Sequence, residues 1–128
     1  MSYTRDNKRY RYDFHDYLRD NGTEVKEYGL ANNGTTTIYT VTADTVLYID
    51  SVVFECENSS GGRRVVRIEE VNGAFTHYIM RFGVLDNTTI SENATYPTLY
   101  TVPAGYDINV VSPAANCQVY ASIHGWEL

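Results

Sequence analysis

The chain has 128 residues, of which 43% are hydrophobic, and its formal net charge is −6. This length favours a single domain that buries about two-thirds of the surface exposed in the unfolded chain, without disulfide or metal crosslinks. The sequence shows no signal-peptide pattern and no run near the roughly 20 apolar residues of a membrane span. We therefore expect a soluble protein, made in a cytoplasm, with no membrane partner.

The negative charge is concentrated in the larger, C-terminal part of the sequence. Residues 1–30 contain six basic and six acidic side chains, so the net charge of −6 comes from residues 31–128. That part contains four arginines and ten acidic residues. Nucleic-acid binding depends on clustered Lys and Arg side chains that neutralise phosphates. We therefore expect no nucleic-acid partner.

The first 35 residues differ from the rest, and we predict that residues 1–35 form an N-terminal arm or assembly segment. Their apolar side chains recur at helical spacing at Tyr10, Phe14, Tyr17 and Leu18. Such a helix would begin at the cap Asp6 and end at Gly22. The alternation of Tyr10, Tyr12 and Phe14 with charged residues is equally typical of an extended arm. The sequence leaves the two conformations open.

Tyrosine is frequent in this segment, and its chemistry indicates a contact role. A tyrosine ring buries well while its hydroxyl stays hydrated, a combination enriched at protein interfaces. An arm that straps across its own domain is the alternative. We predict that the segment contacts neighbouring subunits, and the candidate interface residues are Tyr10, Tyr12, Phe14, Tyr17 and Leu18.

From residue 36 to residue 128 the sequence predicts one all-β domain. Apolar and polar residues alternate with period 2, which places one row inside and the other at the surface. Asn72-Gly73 is the clearest hairpin turn between two such runs. The predicted strands are 37–42, 45–57, 63–71, 74–83, a weaker run at 87–91, 97–102, 106–110 and 117–124. We predict a jelly-roll-like antiparallel β-sandwich of about eight strands.

One stretch of this domain repeats. TIYTVTADTVLYIDSV at residues 37–52 is echoed by TLYTVPAGYDINVVSP at residues 98–113. In the second copy Pro103 ends a strand and Gly105 permits a sharp turn. We predict that both stretches are equivalent corners that carry the chain between the two sheets. The alternative is a chance reuse of favourable strand-to-turn residues.

The sequence shows no recognisable catalytic or metal-binding arrangement. His15, His77 and His124 stand apart, with no H-x-H, H-E-x-x-H or C-x-x-C spacing. Cys56 and Cys117 are 61 positions apart, and we expect two half-buried, small apolar residues. We therefore predict that the protein is not an enzyme and has no cofactor or metal site.

Two acidic pairs, Glu55/Glu57 and Glu69/Glu70, resemble carboxylate dyads at first inspection. They lie at a strand end and within a strand, close in sequence to three arginines. Opposite charges on neighbouring strands stabilise a sheet. We therefore predict that both pairs form cross-strand ion pairs with Arg63, Arg64 and Arg67.

Three segments of residues 36–128 resemble the small jelly-roll domains of tailed-bacteriophage structural proteins, notably head decoration (cement) proteins and tail or fibre modules. They are IYTVTADTVLYIDSVVF, LYTVPAGYDINVVSP and CQVYASIHGWEL. The resemblance implies a virion structural protein, made in the host cytoplasm, that decorates and stabilises a capsid. It also implies a homo-oligomer, expected to be a trimer, with the major capsid protein or another virion protein as partner.

Two other functions stay open at this stage. The first is a receptor-binding or carbohydrate-binding module at a phage tail or fibre tip, which would gather tyrosines or Trp126 with Asn and Asp in an outward pocket. The second is an enzyme of jelly-roll fold with an unrecognised site, which would need a metal or a buried carboxylate pair.

Overall fold

The computed structural model describes the backbone of residues 2–5, 8–11 and 13–128, and the side chains of residues 13–96 and 98–128. The helix is α1 (Phe14–Asn21). The strands are β1 (Ser2–Arg5), β2 (Lys8–Arg11), β3 (Thr23–Asn32), β4 (Gly34–Thr40), β5 (Leu47–Asn58), β6 (Arg64–Asn72), β7 (Phe75–Val84), β8 (Thr88–Val102), β9 (Asp107–Ser112) and β10 (Cys117–Glu127). Every pairing between them is antiparallel.

Eight of the strands form two stacked sheets, and their order is that of a jelly roll. The first sheet has the order β3-β10-β5-β8 and the second has the order β4-β9-β6-β7. From β3 to β10, each connection passes from one sheet to the other except the β6–β7 hairpin. Eight strands connected in this way make the double Greek key of a jelly roll. The predicted fold is confirmed.

The sandwich begins before the predicted boundary at residue 36. Strand β3 forms an edge of the first sheet and pairs with β10 along its whole length, from Thr23 to Asn32. Its inward positions include Gly29 and Ala31, which are too small to produce a clear hydrophobic alternation. For that reason the strand is inconspicuous in the sequence. Much of the predicted arm is therefore part of the sandwich.

Alternating inward side chains fill the space between the sheets. Phe54 on β5 is fully buried and packs against Phe82 on β7, with ring centroids 5.1 Å apart. Cys56 and Cys117 are fully buried rather than half-buried, and their sulfurs lie 3.8 Å apart as free thiols. Burial raises the pKa of Cys56 to about 12, so this thiol stays protonated and packs as a small apolar group.

The repeated stretches form the two corners β4–β5 and β8–β9, and each carries the chain from one sheet to the other. The aligned residues Asp44 and Gly105 both have left-handed backbones, with φ of 63° and 79°. The corners also bind each other: the Val41 amide donates to the Tyr106 carbonyl and the Gly105 amide donates to the Val41 carbonyl, both at 2.9 Å. The predicted equivalence of the corners is confirmed.

The N-terminal segment contains both a hairpin and a helix. Strands β1 and β2 pair with each other in a two-stranded sheet, and within the described backbone neither pairs with a strand of the sandwich. Helix α1 begins later than predicted because Asp13, not Asp6, caps it: Asp13 accepts from the Asp16 amide at 3.0 Å, and Asp16 accepts from the Asp13 amide at 3.2 Å. The helix stops at Gly22, as predicted.

Candidate functional site

Helix α1 lies against the sandwich through one apolar anchor. Leu18 is fully buried, whereas Phe14 and Tyr17 remain 45% and 42% exposed. Leu18 therefore holds the helix on its own domain and is not available to another subunit, contrary to its predicted role. The backbone of Tyr10 lies in β2, opposite Tyr3. The Tyr10 side chain and all of Tyr12 lie outside the described part of the structure.

The exposed side of α1 carries a small aromatic surface. The Phe14 ring stacks on Tyr17 at 6.2 Å between centroids and meets Tyr48 of β5 edge-on at 5.0 Å. A hollow of about 400 Å³ lies beside this contact, and its lining residues are Asp13, Phe14, His15, Tyr48, Thr98, Leu99 and Thr101. We call Phe14, Tyr17 and this hollow the helix surface. It combines fixed aromatic rings with a recess beside them.

A polar cluster lies beneath the helix. His124 of β10 is held between two carboxylates: its Nδ1 lies 2.6 Å from Asp50 and its Nε2 lies 2.9 Å from Glu24. His15 of α1 approaches the same Asp50 at 3.6 Å. Burial alone lowers the pKa of His124, but the hydrogen bonds to Glu24 and Asp50 outweigh that effect and raise the pKa. The cluster thus joins α1, β3, β5 and β10 through contacts between histidine rings and carboxylates.

Trp126 forms part of this floor instead of an outward pocket. Its side chain is only 6% exposed, and it meets the rings of His15 and His124 edge-on at 5.1 and 4.9 Å. An indole in this position has little surface left for a sugar to stack on. Trp126 therefore supports the helix contact and does not match the expectation for a carbohydrate site.

The outer face of the first sheet carries two further hollows on either side of an aromatic pair. Tyr28, which is 71% exposed, lies 5.9 Å from Tyr120. One hollow, of about 340 Å³, is lined by Lys26, Glu27, Tyr28, Ser51, Val53, Ser122, Ile123 and His124. The other, of about 250 Å³, is lined by Leu30, Glu55, Cys56, Glu57, Thr89, Gln118 and Tyr120. This face combines rings, hydroxyls and charges.

The acidic pairs Glu55/Glu57 and Glu69/Glu70 differ in whether an arginine lies within reach. Arg67 pairs with Glu69 at 3.0 Å, but both residues lie on β6, so this ion pair is within one strand and not across strands as predicted. Glu55 and Glu57 lie on the first sheet, away from the arginines near β6 and β7 in the second, so their predicted pairing is wrong. It failed because the order of strands across the sandwich, and not closeness in sequence, determines which charges meet.

Glu70 is a buried carboxylate at the edge where β7 and β8 bring the two sheets together. It lies 3.7 Å from His77, which in turn is 2.8 Å from the Tyr100 hydroxyl. Its Oε2 has no hydrogen-bond partner among the described residues. Burial raises the pKa of Glu70 and also that of Tyr100. The cluster is not visible in the sequence, because Glu70 and His77 lie 30 and 23 positions from Tyr100 and the three residues meet only in the fold.

Neither a metal site nor a similarity to a known protein identifies the kind of site in the described part of the chain. Among the described residues, no group of three or more His, Cys, Asp and Glu side chains is arranged to hold a metal ion. The described helix is too short and too polar to cross a membrane. No protein-family model matches the chain, and no curated protein matches it either.

Proposed function

We propose that the protein is a virion structural protein of the capsid-decoration type, which acts by binding copies of itself and a shell protein. The observation that carries the proposal is the helix surface. Two aromatic rings are held on a helix that is capped at its start and anchored by Leu18, yet both rings are more than 40% exposed. Exposed aromatic groups on a fixed support are typical of contact surfaces.

The jelly roll itself favours a structural role. Its sheets end in the edge strands β3 and β8, and β4 and β7. Unpaired edges invite further pairing, and assembly into a closed oligomer is one way to protect them. A homotrimer is the arrangement we propose, and the N-terminal segment adds contacts of its own. Several modest contacts of this kind reinforce one another through avidity.

Two measurements test the proposal with the full chain. The first is the mass in solution, which we expect to rise from monomer to trimer with concentration. The second is mass spectrometry of intact virions, purified from cells that express the gene, in which we expect peptides of this chain. A monomer at every concentration, or virions that lack the chain, would overturn the proposal. Deleting residues 1–30 is unsuitable, because it removes β3 from the sandwich.

A second candidate function is carbohydrate or receptor binding, which the outer face of the first sheet favours. Tyr28 offers an open ring beside the hydroxyls of Ser51 and Ser122 at the hollow of about 340 Å³. Sugars bind to such a combination of a ring and polar groups. A glycan screen that gives binding to the full chain, lost in Tyr28→Ala and kept in Tyr78→Ala, would support this candidate in place of the first.

A further inference from the structure

The arginines of the acidic body are gathered on one side of the molecule. All four arginines of residues 31–128 lie on or directly before the β6–β7 hairpin. Arg67 and Arg81 are cross-strand neighbours, and their guanidinium carbons lie 5.7 and 5.2 Å from the ring centroid of Tyr78, which is 46% exposed. We call Arg63, Arg67, Tyr78 and Arg81 the arginine patch.

The arginine patch is only partly neutralised within the chain. Glu69 pairs with Arg67, but no ion pair joins Arg63 or Arg81 to an acid in the part of the chain that the structure describes. The guanidinium of Arg63 lies directly over Gly83, where a Cβ would collide with it. Tyr78 likewise flanks two guanidinium groups. Ring contacts of this kind use the face of a guanidinium and leave its N–H groups at the rim, so Arg81 keeps donors for a partner.

The opposite sheet presents a matching acidic recess. Glu55 and Glu57 are exposed on the outer side of β5, at the hollow of about 250 Å³ whose other walls include Leu30 and Tyr120. Tyr120 lies directly across from Glu55. Neither glutamate has an ion pair among the described residues. A recess with two carboxylates and an aromatic ring suits a guanidinium, which binds carboxylates through paired hydrogen bonds and stacks on rings.

We propose that the acidic recess of one copy binds the arginine patch of a second copy. The inference rests on the proposed function, because it names surfaces through which the chain assembles with itself. Recess and patch lie on different sheets, so one copy cannot bring its own two surfaces together. The contact is therefore heterologous, head to tail, and leaves each end of a pair able to bind another copy. Two copies of net charge −6 repel each other overall, whereas the arginine patch of one copy attracts the acidic recess of the other.

The N-terminal segment is the competing occupant of the recess, since its sequence includes Arg5, Lys8, Arg9 and Arg11. The structure favours the arginine patch because the guanidinium groups of Arg67 and Arg81 flank Tyr78 and that of Arg63 lies over Gly83, so that its cations are already gathered at the β6–β7 hairpin. A prearranged array loses less side-chain freedom on binding than separate cations do.

Charge reversal in the full chain tests the contact. We expect Arg81→Glu and Glu57→Arg each to weaken self-association at low salt by at least about tenfold, measured by sedimentation. Controls with the same charge changes are Lys26→Glu and Glu92→Arg, both at exposed positions, which we expect to associate like the original chain. Mixing Arg81→Glu with Glu57→Arg should restore binding, because each variant keeps the surface that the other lacks. High salt should weaken all of these associations.

Three results would overturn the inference: charge variants that associate like their controls, a mixture that behaves as its separate components, or loss of association with Arg9→Glu/Arg11→Glu but not with Arg81→Glu. The last result would mean that the N-terminal segment occupies the recess.

A helix-surface variant, Phe14→Gln with Tyr17→Gln, separates this test from the proposed function. If it alone loses association, the proposed function stands and the inference fails; if only the charge variants lose it, the helix surface is not the assembly contact.

Discussion

The interior of the sandwich and the contact beneath α1 are held together by different interactions. Between the sheets, aliphatic and aromatic side chains such as Phe54, Ile68 and Val110 are fully buried. Beneath the helix, one buried leucine is joined by aromatic edges and by histidines next to carboxylates. The first region determines the fold. The second attaches a short helix and includes His124, whose pKa is raised by its hydrogen bonds to Glu24 and Asp50.

The largest effect is expected in the interior. Phe54→Ala removes a fully buried ring that packs against Phe82, and should lower the free energy of unfolding by about 3–5 kcal/mol. Denaturant unfolding, followed by far-UV circular dichroism, measures this loss. Phe75→Ala is the matched control, because Phe75 is 50% exposed and should cost far less. Equal losses at the two positions would show that the interior does not dominate stability.

The anchor of the helix should give a smaller and more local effect. Leu18→Ala removes buried contacts worth about 2 kcal/mol or more, but they hold only α1. We expect faster amide exchange in residues 14–21, with little change in the sandwich. Tyr17→Gln, at an exposed position of the same helix, should leave exchange nearly unchanged. Loss of protection throughout the sandwich after Leu18→Ala would remove the distinction between the two regions.

Glu70 is a buried carboxylate whose Oε2 has no hydrogen-bond partner among the described residues, and its replacement by Gln should stabilise the fold. Burial raises its folded pKa above the ordinary 4.5, so stability falls as pH rises from 4.5 through the folded pKa. Glu70→Gln removes this loss and should add about 1 kcal/mol at neutral pH, with no gain below 4.5. Unfolding measured across pH checks the sign. A gain of the same size at every pH, or none, would contradict the assignment, and Glu57→Gln is the exposed control.

The smallest effect concerns His124. Its folded pKa is raised above 6.5, so its contribution to stability is complete below 6.5 and is lost as pH rises through the folded pKa. At a partly exposed cluster this contribution should be below about 1 kcal/mol. NMR titration of the His124 ring should give a midpoint above 6.5, and Glu24→Gln should lower it. A midpoint below 6.5, or one that Glu24→Gln leaves unchanged, would show that His124 is not held between Glu24 and Asp50.

Periodicity and turn chemistry were sufficient to predict the sandwich, the Asn72-Gly73 hairpin and the paired corners, because the patterns that indicate them lie in residues close in sequence. These local patterns were insufficient for features that tertiary packing determines. Gly29 and Ala31 concealed β3, since small inward residues carry no hydrophobic signal. The partners of Glu55 and the environment of Glu70 depend on strand order, which local patterns do not contain. The exposure of Phe14 and Tyr17, and the burial of Leu18, follow from the way α1 packs on the sandwich.

In the assembly that we propose, other subunits cover the helix surface. The most direct measurement is the sedimentation mass of the full chain and of the Phe14→Gln/Tyr17→Gln variant over the same concentration range. Leu85→Gln is the control, because Leu85 is 63% exposed in the turn after β7. We expect trimers for the original chain and for the control, and a shift towards monomer for the helix variant. Identical masses for all three proteins would contradict this expectation.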